Sequence, residues 1–251
     1  MNTRLQPDDH SFSPLLTISI VSHGDSKKII RLLKSICKFE HAKSIQLIVT
    51  DNLGNEISEI DDSPWFSLEI LRNDTTLGFA RNHNRAFQLA TGQYFCILNP
   101  DVLFKEEAVH PLIRLLESGQ ADIVAPRIED SNNTLQDSYR KFPTPFQIVQ
   151  RRLLGYQFSS PSPDASGLVQ PDWIAGIFML MKSETYRDLN GFDEKYRLYF
   201  EDVDFCARAQ LAGLKLVVDT NVYVQHDAQR SSRKELIYLL WHIQSAFRFF
   251  S

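Results

Sequence analysis

Three carboxylates fall within four positions, Glu201, Asp202 and Asp204, directly after Tyr199 and Phe200. A carboxylate walled by aromatic rings loses hydration and holds a proton more tightly, which suits it to act as a general base. Acids in the first turn of a helix also meet the helix dipole favourably, each for ~0.3–1 kcal/mol, and Asp204 can pair with Arg208 one turn on. At ~100° per residue, Asp202 and Asp204 point about 160° apart, so both cannot serve one site from a formed helix. One acid is expected to work and the other to anchor. A second candidate is Asn99-Pro100-Asp101, where Asp101 offers hard oxygen to Mg2+ or Mn2+ bridging substrate phosphates; the same tripeptide would serve as an ordinary turn. His226 and His23 each follow a short apolar run and read either as hydrogen-bonding groups or as ligands.

Positioning these groups requires an ordered scaffold, and the chain supplies one by alternation. Leu15–Val21, Ile45–Val49, Leu68–Leu71, Tyr94–Leu98, Ile123–Ala125, Asp172–Met181 and Val222–Gln225 read as strands. Between them, Ile29, Ile30, Leu32, Leu33 and Ile36 mark a helix, and others are expected over 80–89, 105–117 and from Ser183, which would cap its own helix. Alternating strands and helices predict an α/β protein with a mostly parallel, Rossmann-like sheet flanked by helices in a single domain. Ligands of such sheets bind at the carboxyl ends of the strands. Ser22-His23, Asp51-Asn52 and Asn99-Pro100-Asp101 all fall there.

Residues 1–14 read as a disordered lead-in, 15–230 as the domain, 129–171 as a proline-bearing variable excursion over the site, and 231–251 as an amphipathic C-terminal helix. Core packing explains that helix; so does contact with a membrane surface, since Arg and Lys stand beside Trp and Phe.

Composition narrows the function. The 251 residues are 43% hydrophobic and 23% charged, ordinary for a globular core. Lys plus Arg number 27 against 31 Asp plus Glu, a net charge of -4, so no nucleic-acid partner is expected. Three scattered cysteines make neither a disulfide framework nor a zinc site. The longest apolar run, Ile174 to Met181, falls far short of the ~20 residues of a membrane span, and the N-terminus has no secretory pattern. A cytoplasmic location follows as the expectation, with peripheral contact at the inner face of the membrane through the C-terminal helix.

The ordered set Ser22-His23, Thr50-Asp51-Asn52, Asn73 to Asn84, Leu98-Asn99-Pro100-Asp101, Trp173-Ile174-Ala175-Gly176, Gly191-Phe192-Asp193-Glu194 and Tyr199 to Asp204, closed by His226, resembles glycosyltransferase family 2. The likeness is greatest to its rhamnosyltransferase and galactofuranosyltransferase branches. It implies a GT-A-type fold and inverting transfer of a sugar from a nucleotide-sugar donor, dTDP-rhamnose or a UDP-sugar, to a glycan or polyprenyl-linked acceptor in cell-surface polysaccharide synthesis. By position, it implies that Asp51 contacts the base with Ser22 nearby. Arg81, Asn84 and Asn99 would line the nucleotide site. Asp101 and His226 would hold Mn2+ or Mg2+. Asp202 would be the base with Glu201 beside it, and Trp173 and Gly176 would border the acceptor and sugar. Asn99 stands where the fuller Asp-x-Asp pattern has its first acid, removing one anionic oxygen from the metal shell. Two rivals remain: a sugar-phosphate nucleotidyltransferase, for which the chain lacks a Gly-rich phosphate loop, and a catalytically silent sugar-nucleotide or glycan-binding subunit.

Overall fold

The computed structural model describes residues 13–39, 41–54, 57, 64–154, 160–227 and 236–250. In chain order the strands are β1 (Leu16–Ser22), β2 (Ile45–Asp51), β3 (Ser67–Arg72), β4 (Tyr94–Leu98), β5 (Val102–Leu103), β6 (Ile123–Glu129), β7 (Tyr139–Arg140), β8 (Leu168–Val169), β9 (Trp173–Ile174), β10 (Phe178–Lys182) and β11 (Leu216–His226). The α-helices are α1 (Ser26–Ile36), α2 (Phe79–Phe87), α3 (Val109–Glu117), α4 (Pro145–Leu154), α5 (Ser183–Asp188), α6 (Glu201–Leu211) and α7 (Leu236–Phe250).

The main sheet runs β3-β2-β1-β4-β10-β6-β11-β5, with β8 against β11. β1 to β4 pair in parallel, β10 lies antiparallel between β4 and β6, and β6 pairs in parallel with β11. Every residue of β2 and β4 is buried, as befits strands covered on both faces. On one face the apolar stripes of α1 (Ile29, Leu32, Leu33, Ile36) and α3 (Val109, Leu112, Ile113, Leu116) close the core. On the other, α2, α5 and α6 pack Ala80, Tyr186, Phe205 and Cys206 against Phe95, Ile97 and Met179.

The expected sheet and single domain are therefore present, with differences that have local causes. The run Asp172–Met181 is two strands in two sheets, because the chain steps aside at Ala175-Gly176-Ile177. The helix expected from 105 begins at Val109, where the Glu107 carboxylate accepts the amides of Val109 (2.7 Å) and His110 (3.3 Å). Ser183 does not cap α5; its hydroxyl donates to the Gly92 carbonyl at 2.6 Å and ties α5 to the turn before β4. Within 129–171 lie β7, α4 and β8, none of which its weak periodicity announced. Of the proposed lead-in and C-terminal helix, residues 1–12, 231–235 and 251 lie outside the described residues.

Candidate active site

The register brings the polar clusters to one rim. Ser22 pairs with Asp51, Asp51 with Arg72, and Ile20 with Leu98, so β1, β2, β3 and β4 end together. Ser22 is buried and its Oγ accepts the Asp25 amide at 3.2 Å, which shapes the entry into α1. Asp51 is fully buried. Its Oδ1 accepts the amides of Leu53 (3.2 Å) and Gly54 (2.9 Å), while Oδ2 accepts Ile57 N (3.0 Å) and Arg72 (3.4 Å). The carboxylate thus organises the loop after β2. Beside it, Asn73 donates to Asn52 and Asn82, each at 2.7 Å, and accepts from Arg85. Asn52 in turn accepts the Leu77 amide and donates to the Leu77 carbonyl. This buried network holds the 73–78 segment and was not anticipated.

Arg81 and Asn84 face the loop before the acidic cluster. Arg81 lies 3.7 Å from Glu194. Asn84 uses its whole amide: it donates to Phe192 O (2.9 Å) and Glu194 (3.1 Å) and accepts Tyr186 Oη (2.7 Å) and Phe192 N (3.0 Å). A Cβ at Gly191, whose φ is +63°, would lie 2.4 Å from Asn84 Oδ1, so glycine is required there.

At the next strand end the structure joins Asp101 and His226. His226 Nε2 lies 3.1 Å from Asp101 Oδ1, an oxygen that is buried without a hydrogen-bond donor of good geometry. Gln136 fixes the imidazole: its Nε2 donates to His226 O at 2.7 Å, which turns its Oε1 to His226 Nδ1 at 2.8 Å. That acceptor demands the proton on Nδ1. Nε2 then faces Asp101 Oδ1 either as a second N–H, pairing an imidazolium with the carboxylate, or as a lone pair, in which case the two atoms could share a cation. Burial pushes the Asp101 carboxyl up, but His226 and Lys28 outweigh it and hold the group below its usual range. Lys28, 3.6 Å from Asp101 Oδ2 and 2.7 Å from Asp25, is a further cation at this corner. Among the described residues no third His, Cys, Asp or Glu joins the pair. A Mg2+ or Mn2+ ion held by one or two protein groups and completed by substrate phosphates and water is compatible with that set. Asn99 does not join it through its backbone; its amide donates to Ile177 O at 2.9 Å. A cavity of about 710 Å³, lined by Gly24, Asp25, Lys28, Arg31, Asp101 and Asp227 among others, opens beside this corner.

The same Asn99–Ile177 bond leads to the acidic cluster. One residue before Ile177, the Gly176 amide donates to Asp202 Oδ2 at 3.2 Å. A Cβ on Gly176 would stand 2.9 Å from Phe79 Cζ, so glycine lets the α2 ring, this backbone and Asp202 close up together. Asp202 Oδ1 accepts Val203 N at 2.9 Å. Burial raises the Asp202 carboxyl above its usual range, against the pull of the Gly176 and Val203 amides. Glu201 is buried with Oε2 unpartnered, and burial with the neighbouring Asp202 charge pushes it well up. Asp204 turns the other way, as the helix geometry predicts: it pairs with Arg208 Nε at 2.8 Å, and Arg208 reaches Gly191 O at 2.8 Å. Just before the acids, Tyr199 and Phe200 have φ of +71° and +67°. Two successive non-glycine residues there cost of order 1–3 kcal/mol each and persist only where neighbours enforce them.

α7 is one such neighbour. Ser245 Oγ donates to Leu198 O at 3.1 Å, Phe200 packs on His242, Phe249 and Phe250, Arg197 lies 4.6 Å over Trp241, and Arg248 pairs with Asp193 at 2.7 Å. Trp173 joins the cluster around Phe200 and Val203, its indole N–H buried without an acceptor. The packing explanation of the C-terminal helix thus holds for one side, while Leu240, Ile243 and Phe247 are exposed. No helix of the described residues is long and apolar enough to cross a membrane.

A mostly parallel sheet flanked by helices, with its polar strand ends gathered on one rim, is a GT-A-type fold. Solved structures agree on that fold alone: GalNAc-T7 with UDP, GalNAc and Mn2+ (TM-score 0.65, 16% identity, 88% of this chain and 45% of that one). The mannosyltransferase PcManGT from Pyrobaculum calidifontis, in complex with GDP-Man and Mn2+, gives a TM-score of 0.60 at 17% identity, over 95% of this chain and 65% of that one. The family model for glycosyl transferase family 2 matches residues 17–176, and the chain belongs to that family. Rhamnosyltransferase WbbL of Escherichia coli (strain K12) is 30% identical over 247 residues, 94% of this chain and 92% of that protein. The N-acetylglucosaminyl-diphospho-decaprenol L-rhamnosyltransferase of Mycobacterium tuberculosis (strain ATCC 25618 / H37Rv) is 25% identical, over 94% and 83%. The rhamnosyltransferase-like branch therefore fits.

Proposed function

We propose that the protein transfers a deoxyhexose, rhamnose first among candidates, from a nucleotide-sugar donor to a glycan or polyprenyl-linked acceptor in surface polysaccharide synthesis, with inversion and with Mn2+ or Mg2+. The donor and acceptor classes come from the relatives, one of which is named for a diphospho-decaprenol acceptor and another for amylovoran biosynthesis. The observation that carries the chemistry is Asp202: a carboxylate raised by burial, oriented by two backbone amides, at the same rim as the Asp101–His226 corner.

In this reading Asp202 takes the proton of the acceptor hydroxyl as that oxygen attacks the anomeric carbon. Glu201, beside it and unpartnered, keeps the pocket apolar in its protonated form. Asp101 and His226 would hold the divalent ion, whose positive charge offsets that of the departing nucleoside diphosphate; Lys28 adds a fixed cation to the same corner. Ser22 and the loop organised by Asp51 receive the base, with Arg81, Asn84 and Asn99 shaping the walls. Gly176 and Trp173 border the sugar and acceptor. The test is Asp202→Asn: donor binding, read by thermal shift with dTDP-rhamnose, should persist while turnover collapses. Wild-type turnover in that variant overturns the assignment.

A further inference from the structure

The face of the sheet opposite α6 carries a feature that sugar transfer does not use. α1, the turn after it, β5 and the start of α3 enclose a cavity of about 1010 Å³ whose lining includes Arg31, Lys34, Lys38, Lys105 and Arg114. All five are exposed, and none takes part in an ion pair among the described residues. Glu107, the one carboxylate of the lining among the described residues, is already held by His110 Nδ1 at 2.7 Å. A chain of net charge -4 thus gathers five cations in one concavity, none of them ion-paired among the described residues. Lysines spread along a helix face are usually only solvated. Here three separate segments aim them at one hollow.

The floor says what kind of anion fits. Phe39 and Phe104 pack edge to face, with centroids 5.4 Å apart, and line the cavity with Leu103. A soluble polyphosphate has no use for an aromatic floor under a basic rim. An amphiphile with a phosphate head matches both. Arg31 and Leu103 also line the cavity beside Asp101, so this surface continues to the candidate active-site rim.

We propose that this basic cavity docks the protein onto anionic phospholipid headgroups, the five cations meeting lipid phosphates and Phe39 the start of the acyl region. Clustered Lys and Arg near a surface respond to the negative potential of anionic membranes, and screening by salt weakens the attraction. The inference is independent of the sugar and acceptor, because binding is read without either, so its failure leaves the transfer reading intact.

The experiment is flotation of the full chain with vesicles of phosphatidylglycerol in phosphatidylcholine, and with pure phosphatidylcholine. The wild type should float with the anionic vesicles alone and detach as salt rises. Lys34→Glu, Lys38→Glu and Arg114→Glu combined should weaken binding roughly 100-fold, with dTDP-rhamnose thermal shift unchanged. Lys34→Gln with Lys38→Gln gives a milder version should the reversal fail to fold. Phe247→Ser on α7 should float as the wild type does. Absent flotation, undiminished flotation of the cavity variants, loss through Phe247→Ser, or binding of soluble tripolyphosphate without vesicle binding would each overturn the proposal.

Discussion

The two halves of the candidate site are built on opposite principles. Around Asp51 and Asn73 nearly every polar atom has its partner: amides feed the Asp51 carboxylate, and Asn52, Asn73, Asn82 and Arg85 satisfy one another. Around Asp202 the reverse holds. Two residues carry positive φ, Glu201 keeps an unpartnered oxygen, and both acids are raised by burial. A saturated network is rigid and holds the rim in one shape. An unsatisfied, strained turn stores its cost where proton transfer needs a carboxylate above its ordinary range. On the proposed reading, binding rests on the saturated half and chemistry on the strained one, and each half should fail in its own way.

The sharpest break falls on the strained half. Asp202→Asn should cut kcat by roughly 10²–10⁴-fold, the usual worth of a general base, with the melting temperature kept or raised. In the wild type, kcat should fall with decreasing pH at a value above the ordinary carboxylate range, since Asp202 must be unprotonated to accept a proton. A pH profile flat down to that ordinary range would remove the base assignment. On the saturated half the failure should be one of stability. Asn73→Leu leaves Asn82 Oδ1 and Arg85 without their partner in the interior, and should cost about 2–4 kcal/mol in denaturant unfolding. An unchanged midpoint would mean that the network is not what holds the 73–78 segment.

Between the two halves lies the Asp101–His226 corner, and Gln136 tests it. Gln136→Leu removes the acceptor that keeps the proton on His226 Nδ1, so Mn2+ affinity, measured calorimetrically in the presence of nucleoside diphosphate, should fall about 10–100-fold. Equal affinity would leave the imidazole with no part in holding the ion.

What the sequence made legible follows the same division. That Ser22, Asp51 and Asn99 stand at the carboxyl ends of strands was readable because a parallel sheet repeats a local pattern and places its strand ends on one rim. The opposite headings of Asp202 and Asp204 were readable because a helix is periodic. Gln136 was not, since its partner lies 90 residues away, in a stretch with no clear period. Neither was Asn73, whose neighbours in sequence make it look like any turn residue, nor the break at Gly176, which reflects the Phe79 ring of a distant helix. The docking of α7 on Phe200 depended on aromatics that fit equally well on a surface or in a core.

The smallest expected effect separates strain from function within the acidic turn itself. Glu201 has its carboxyl raised in the folded protein, so between its unfolded and folded values the native state binds the extra proton and stability declines as pH rises. Above the folded value the cost of an ionised, unpartnered carboxylate is fully present; below the unfolded value it is absent. Glu201→Gln imitates the protonated form. It should therefore raise the melting temperature at alkaline pH by roughly 2–4 °C, the shift that about 1 kcal/mol produces in a domain of this size, and change nothing at pH values where both states are protonated. A gain of the same size at every pH would assign the effect to packing instead. If stability rises while kcat holds, Glu201 serves to keep the pocket apolar. If kcat falls alongside, its proton belongs to the working pair, and the division between Glu201 and Asp202 disappears.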